Sequence, residues 1–398
     1  MFAIIVASVT SLITLASIFY FIAALWSARS FMRRRGAGAE FAPGVSILKS
    51  LKGFDPGMYE AFASHCRQQY AGEYELLFGV ASLDDPAVAT VERLQVEFPE
   101  REIRLIVCPE KLGLNGKVSN LAQMTRQARH EYLIVNDSDI HVSPRYLSRI
   151  MAGFSNPTLD ANRASRMGHP KAVGLVTAPY RGIAHGTLGS KMEALGIATD
   201  FFPGVLTAMK LDRGIRFGLG STLAVSSEAL AAAGGFEALA DSLADDYELG
   251  ARIAKAGFAV VLSREVVATS VPPYRIAEFF AHQLRWARAV RDSRKLGYAG
   301  LVVTFGIPWA VFNCIACGFD LPSLALLSLT VLARVSVALA VGVGILDDRQ
   351  VLRDLWLLPL RDFCALWAWI WSFAGNSITW RGEEFLLRDG KLVKRAEN

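Results

Sequence analysis

Hydrophobic and polar positions divide the chain into an apolar opening, a long mixed middle and a second apolar stretch. No charged residue occurs from Met1 to Trp26, which at ~1.5 Å per helical residue is long enough to cross a ~30 Å hydrocarbon core. Arg29, Arg33, Arg34 and Arg35 follow at once, and the positive-inside rule then places the next domain in the cytoplasm. The rival for this segment, a cleaved signal peptide, calls for a basic leading end and a small-residue cleavage pattern, and neither is present. Residues 1–28 therefore read as a transmembrane helix. From 44 to 290 short β-branched or apolar runs alternate with helical stretches, the pattern of a mostly parallel sheet covered by helices. The strand candidates are VSILKSL, YELLFGVA, IRLIVC, YLIVND and AVGLVTAPY. Pro56 to Gln69 and Pro86 to Phe98 read as crossover helices with proline just inside their starts.

Apolar character returns after Lys295, and Gly300–Phe319 and Leu321–Leu346, the latter interrupted only by Arg334, predict two transmembrane helices over 298–346. Two crossings bring the chain back to the same side. Leu355 to Ala374 is rich in aromatics but holds Arg361 and Asp362 near its middle, where a charge in hydrocarbon costs at least ~2.5 kcal/mol. That stretch, with a tail carrying Arg381, Arg388, Lys391, Lys394 and Arg395, reads as a membrane-embedded or interfacial segment and basic cytosolic end over 351–398. Composition agrees with this mixed character. Hydrophobic residues make up 52% and charged residues 20% of the 398 positions, and the mean hydropathy is +0.31, too apolar for an ordinary soluble enzyme and too charged for a pure membrane bundle. The net charge of +5 is modest, and the arginines gather beside apolar segments, which suits lipid headgroups and phosphates and argues against nucleic acid. The five cysteines show no disulfide spacing, consistent with a reducing compartment, and the Cys314-Cys317 pair reads as helix packing.

Carboxylates supply the candidate chemistry. YLIVNDSDI sets Asp137 and Asp139 just past a buried strand, at the end where open α/β sheets bind ligands. Such a pair can hold a hard divalent cation on a diphosphate, and it also occurs in plain turns and caps. Asp84 and Asp85 follow an earlier strand directly before Pro86, where one of them can simply cap a helix. LADDYELG places Asp245 and Asp246 ahead of a helix, as cap or general base. HQLRW brings His282, Arg285 and Trp286 onto a helical stretch shortly before the second apolar region.

In this order Asp85, the Asp137-Ser138-Asp139 motif, Asp246 and the Arg285-Trp286 pair resemble the ceramide glucosyltransferase family, whose pattern is three successive aspartates and then (Q/R)-x-x-R-W. VSILKSLKGFDP, the DDPA of Asp84 to Ala87, KLGLNGKVSNL, NDSDIHVSP and SITWRG are similar to family segments as well, so the likeness covers nearly the whole chain. ATDFFPGV and RFGLGSTLA look more like a bacterial, hopanoid-associated branch than like the animal ceramide enzymes. The resemblance implies an α/β GT-A fold with a Rossmann-like UDP-sugar-binding sheet, joined to transmembrane helices. It implies that Asp85 is the nucleobase-side aspartate, that Lys117 contacts the nucleotide, and that Asp137 and Asp139 hold Mg²⁺ or Mn²⁺. Asp246 would be the catalytic base, Arg285 would meet the diphosphate and Trp286 the acceptor, with Trp380 and Arg381 as further candidates near the membrane face. His282 departs from the pattern at the first position of (Q/R)-x-x-R-W, with Gln283 one place later. An imidazole cannot copy an amide or a guanidinium fork. Some animal members lack the second carboxylate of Asp-x-Asp, which makes Asp137 the firmer ligand.

The expected activity is inverting transfer of glucose or N-acetylglucosamine from a UDP-sugar to a hydroxyl of a membrane lipid. A hopanoid such as bacteriohopanetetrol is the first acceptor considered and ceramide the alternative. The expected location is the bacterial inner (plasma) membrane, multi-pass, with the catalytic domain cytoplasmic. A processive polysaccharide synthase would share the aspartates but needs more spans. A non-catalytic lipid-binding membrane protein would have no reason to keep all of the carboxylates.

Overall fold

The computed structural model describes residues 1–33, 41–155, 171–380 and 383–394. Arg34, Arg35, Arg381 and Arg395 lie outside the described residues, as does the side chain of Trp380. The central sheet contains β1 (Val45–Ser50), β2 (Tyr74–Val80), β3 (Glu102–Val107), β4 (Tyr132–Val135), β6 (Lys171–Thr177), β8 (Leu223–Ser226) and β9 (Phe258–Leu262), in the order β3-β2-β1-β4-β8-β6-β9. Strands β3, β2, β1 and β4 run parallel, β8 runs antiparallel to both β4 and β6, and β6 pairs in parallel with β9. Continuous apolar runs such as YELLFGV form these strands because both faces of a parallel sheet are covered. The predicted crossovers appear as helices Met58–Cys66 and Ala87–Glu97.

The chain runs from β1 outward to β2 and β3 and then returns to place β4 on the other side of β1. Connections diverge at that junction, so it opens a crevice at the carboxyl ends of β1 and β4. Beside it lies a small sheet of β5 (Ile140–His141), β7 (Tyr180–Ala184) and β10 (Val267–Val271) in the order β5-β10-β7.

Among the described residues three helices are long and apolar enough to cross a membrane by length and composition: Ala3–Met32, Leu188–Leu211 and Leu321–Val343. The Gly300–Phe319 region is instead a pair, Lys295–Thr304 and Gly306–Ala316, bent by 56° at Phe305. Leu188–Leu211 falls inside the stretch read from sequence as soluble. Its apolar run supplies protein core, since 67% of its most hydrophobic window is buried. Helix Phe2–Met32 packs on Gly306–Ala316 and Leu321–Val337, while Ile4, Leu12, Phe19 and Ile22 face outward.

Helix Leu358–Ser372 turns Arg361 and Asp362 inward, where they are 7% and 2% exposed beside the fully buried Arg334. The charges that interrupt the apolar pattern thus meet one another rather than lipid. What reads as a basic tail holds an antiparallel meander of β11 (Ser377–Trp380), β12 (Glu383–Arg388) and β13 (Lys391–Lys394). Ile378, Phe385 and Leu392 pack it against Leu114 and Leu243, and Leu392 N–H donates to the Asp241 carbonyl at 2.7 Å. Arg291 reaches it with a hydrogen bond to the Gly375 carbonyl at 3.1 Å. The meander therefore joins the loop before Asp246 to the helix that carries Arg285.

Candidate active site

Asn136 ends β4 and is fixed from several sides: its amide donates to the Ser221 carbonyl at 2.7 Å and to the Tyr146 hydroxyl at 3.0 Å. This anchor presents the next three residues to the crevice. The Asp137 carbonyl accepts from Lys49 Nζ at 3.1 Å, and its carboxylate pairs with Lys117 Nζ at 2.7 Å. Ser138 donates to the Asp55 carboxylate, and Thr269 of β10 donates to the Asp139 carboxylate. Burial, and after it the Asp137 charge, pushes Asp139 up to about 6. Lys49 sits near the carboxyl end of β1, fully buried, and desolvation lowers it to about 7. Lys117, in the first turn of helix Gly116–Thr125, also lies 3.4 Å from Asp245. Burial pulls its pKa down, but Asp137 and Asp245 outweigh that and hold the ammonium charged.

Asp246 lies in the first turn of helix Asp245–Lys255. Its Oδ1 accepts from the Tyr247 N–H at 2.8 Å, and burial, with the neighbouring Asp245 charge, pushes its pKa up to about 6. A Cβ on Gly220 would sit 3.0 Å from the Asp246 carboxylate and 3.7 Å from that of Asp137, so both carboxylates converge over a position without a side chain. The helix approaches its support as closely: a Cβ on Gly250 would lie 2.2 Å from the backbone nitrogen of Gly218. Backbone cannot yield as a flexible side chain can. Gly250→Ala is therefore expected to shift the helix and lower turnover at least about tenfold, since small misplacements of reacting groups cost that much or more. Steady-state rates of the folded variant check this, and unchanged turnover would show that the contact does not position Asp246.

Helix Ile276–Ser293 supplies the other wall. Its N-terminus is capped from within, the Glu278 carboxylate accepting from the Arg275 N–H at 2.7 Å. His282, Arg285 and Trp286 recur at helical spacing on one side. The His282 ring stacks on Tyr274 with centroids 5.2 Å apart, and Trp286 meets Phe201 edge-on at 5.9 Å. Asp137, Asp139, Asp246, Arg285 and Trp286 all line one pocket of about 280 Å³, together with Glu193 and His282. Lys117 reaches this group through Asp137. Asp85 stands elsewhere: its carboxylate accepts from the Gly53 N–H at 2.9 Å and from the Ala87 N–H at 2.9 Å, so it ties the loop after β1 to the start of helix Ala87–Glu97.

Lys49, Tyr180, Glu193 and Thr269 also belong to the site, and of these only Lys49 falls within a family-like segment, VSILKSLKGFDP. Glu193 has a signal of its own, as a carboxylate within the otherwise apolar run MEALGIA. Among the described residues no group of three or more His, Cys, Asp or Glu could enclose a metal ion. The paired carboxylates of Asp137 and Asp139 do fit a hard divalent cation that takes its remaining ligands from phosphate and water. The Lys117 ammonium against Asp137 shows that the position accommodates positive charge.

Known proteins resemble this chain. Ceramide glucosyltransferase 1 of Caenorhabditis elegans is 24% identical over 367 residues, 89% of this chain and 74% of the relative. Ceramide glucosyltransferase 3 of the same organism is 28% identical over 246 residues, 62% of this chain and 50% of the relative, so the match spans half of that protein's length. Among solved structures, a mannosyltransferase of Pyrobaculum calidifontis in complex with GDP-Man and Mn²⁺ aligns over 92% of this chain and 99% of its own, with TM-score 0.55 and 16% identity. That likeness establishes the GT-A architecture. Residues 9–393 match the profile of glycosyl transferase family 21, and the chain belongs to that family.

Proposed function

We propose that this glycosyltransferase moves one sugar from a UDP-sugar to a hydroxyl of a membrane lipid, with inversion at the anomeric carbon. The observation that carries the proposal is the convergence of Asp137, Asp139, Asp246, Arg285 and Trp286 on one pocket within a chain that also has the largely exposed apolar helices Ala3–Met32 and Leu321–Val343, both of membrane-crossing length. Arg285 and Lys117 meet the diphosphate of the donor, Asp246 accepts the proton of the attacking hydroxyl, and Trp286 faces the acceptor. Asp137 and Asp139 would hold Mg²⁺ or Mn²⁺, which when bound neutralises charge on the diphosphate. Asp85 would face the nucleobase side while also serving as a helix cap. The family relatives named ceramide glucosyltransferases support a lipid acceptor. They favour ceramide, whereas the segments ATDFFPGV and RFGLGSTLA favour a hopanoid such as bacteriohopanetetrol. Arg29 in the last turn of helix Phe2–Met32 and Arg33 just after it support a multi-pass protein of a bacterial inner membrane with its catalytic domain in the cytoplasm.

The test is transfer by the purified chain from UDP-glucose and from UDP-N-acetylglucosamine to bacteriohopanetetrol, ceramide and diacylglycerol, with Mg²⁺ or Mn²⁺ and after chelation, read by mass spectrometry. Hexosaminyl-bacteriohopanetetrol or hexosyl-ceramide assigns the acceptor, and no lipid product with any pair rejects the proposal. Acidity gives a second check. A base must be ionised to act, and the Asp246 pKa is raised, so activity is present above about pH 6 and lost as the pH falls through it. A rate that stays flat from pH 8 to about pH 5 would remove Asp246 from the role of base.

A further inference from the structure

The pocket is lined by two kinds of charged group. Lys117 pairs with Asp137, two residues from Asp139, and a cation there suits a diphosphate, while Arg285 lines the same pocket. Glu193 contributes a second kind of wall. Its side chain is 7% exposed, its Oε2 stands 3.4 Å from Nδ1 of His282, and it also accepts from the Gln283 amide. Gln283 is held in turn by Arg361, whose Nη2 donates to its carbonyl oxygen at 2.9 Å. A Cβ on Gly196 would lie 2.4 Å from Nε of Arg361, so the helix of Glu193 is glycine where that guanidinium crosses it. The Tyr274 stack fixes the plane of the His282 ring. A buried carboxylate with no cation beside it repels phosphate and attracts hydroxyl donors. Nδ1 of His282 is buried without a partner in hydrogen-bond geometry, an arrangement that costs free energy unless something else in the site compensates it.

We propose that Glu193 and His282 form a hydroxyl-reading pair that accepts a hydrogen bond from a hydroxyl of the bound ligand, either on the sugar being transferred or on the head of the acceptor. This rests on the sugar-transfer function proposed above and assigns the position where His282 replaces the family's glutamine or arginine. The carboxylate lies on the Nδ1 side of the imidazole, 3.4 Å away, and Nε2 is the ring nitrogen left to meet the ligand. Arg361 and Gln283 are positioning residues that keep Glu193 in place.

The test uses the full chain in detergent, with Glu193→Gln, His282→Gln and His282→Phe. Donor affinity is measured by calorimetry with the UDP-sugar alone, and KM for donor and for acceptor are measured separately. Transfer by the unmodified chain tests the function itself, and its failure there leaves the variants nothing to report. With transfer established, a rise of about tenfold in the donor Kd and KM for Glu193→Gln and His282→Phe assigns a sugar hydroxyl. The same rise confined to the acceptor KM assigns an acceptor hydroxyl. In either case His282→Gln recovers part of the loss, because an amide still offers a polar atom there. Unchanged values of both KM, or a loss of kcat alone with both KM unchanged, would overturn the proposal.

Discussion

Asp246→Asn is expected to lower sugar transfer by about 10³-fold while leaving UDP-sugar affinity within a factor of about three, since general-base catalysis contributes about 10² to 10⁴-fold. The amide is nearly isosteric and keeps a carbonyl oxygen to accept from the Tyr247 N–H, now at 2.8 Å. The fold around Gly220 therefore has no reason to move. What is lost is the capacity to take a proton, because an amide is not basic at neutral pH. Burial makes the contrast larger. The same desolvation that raises the Asp246 pKa to about 6 makes its carboxylate a stronger proton acceptor than an exposed one, while still ionised at neutral pH. Donor affinity by calorimetry and single-turnover transfer separate the two effects. Wild-type turnover by the variant would show that the proton leaves by another route. Loss of donor affinity together with turnover would instead make Asp246 part of the donor site.

Much of this site is legible in the sequence because strand ends and helix starts leave local marks. YLIVND announces a buried strand with carboxylates past its end, and DDYELG announces a helix with carboxylates in its first turn. The α/β alternation and the resemblance together led to the GT-A fold that the solved mannosyltransferase shares. Lys49 was hidden for a physical reason. A lysine in VSILKSL looks like an outward residue of a strand, and only the placement of β4 beside β1 puts its ammonium under the Asp137 carbonyl. Thr269 is hidden likewise, because it approaches the Asp139 carboxylate from an element distant in sequence. The meander over 377–394 reads as a tail because Arg388 and Lys391 face away from the side that packs Ile378, Phe385 and Leu392, and Lys394, in register with Phe385, is exposed at the end of its strand. Asp85 shows the converse, a residue the motif singles out that the structure places at a helix cap.

Arg334→Leu is expected to destabilise the protein by about 3–5 kcal/mol, the loss that follows when one partner of a buried ion pair is removed. Arg334 is 1% exposed within helix Leu321–Val337. Its Nη2 donates to Oδ1 of Asp362 at 2.8 Å and also reaches the Asp200 carboxylate, and its Nη1 donates to the Thr199 carbonyl at 2.8 Å. Thr199 and Asp200 belong to the wider π-type turn at Ile197–Phe201, which interrupts the helix bearing Glu193 and directs both groups at the guanidinium. Without Arg334, Asp362 loses its bidentate partner while still 2% exposed, and Arg361, 3.3 Å from Asp200, cannot serve both carboxylates. The leucine fills the volume but leaves the charge. Arg334→Leu combined with Asp362→Leu should therefore be more stable than Arg334→Leu alone, since the second change removes the stranded carboxylate. Thermal unfolding of the three proteins in one detergent decides the matter. Equal midpoints for wild type and Arg334→Leu would mean that the pair contributes nothing. A double variant less stable than the single one would mean that Asp362 is satisfied by other partners. If the expected order holds, activity should follow it, because the same turn sets the helix that presents Glu193 to the pocket.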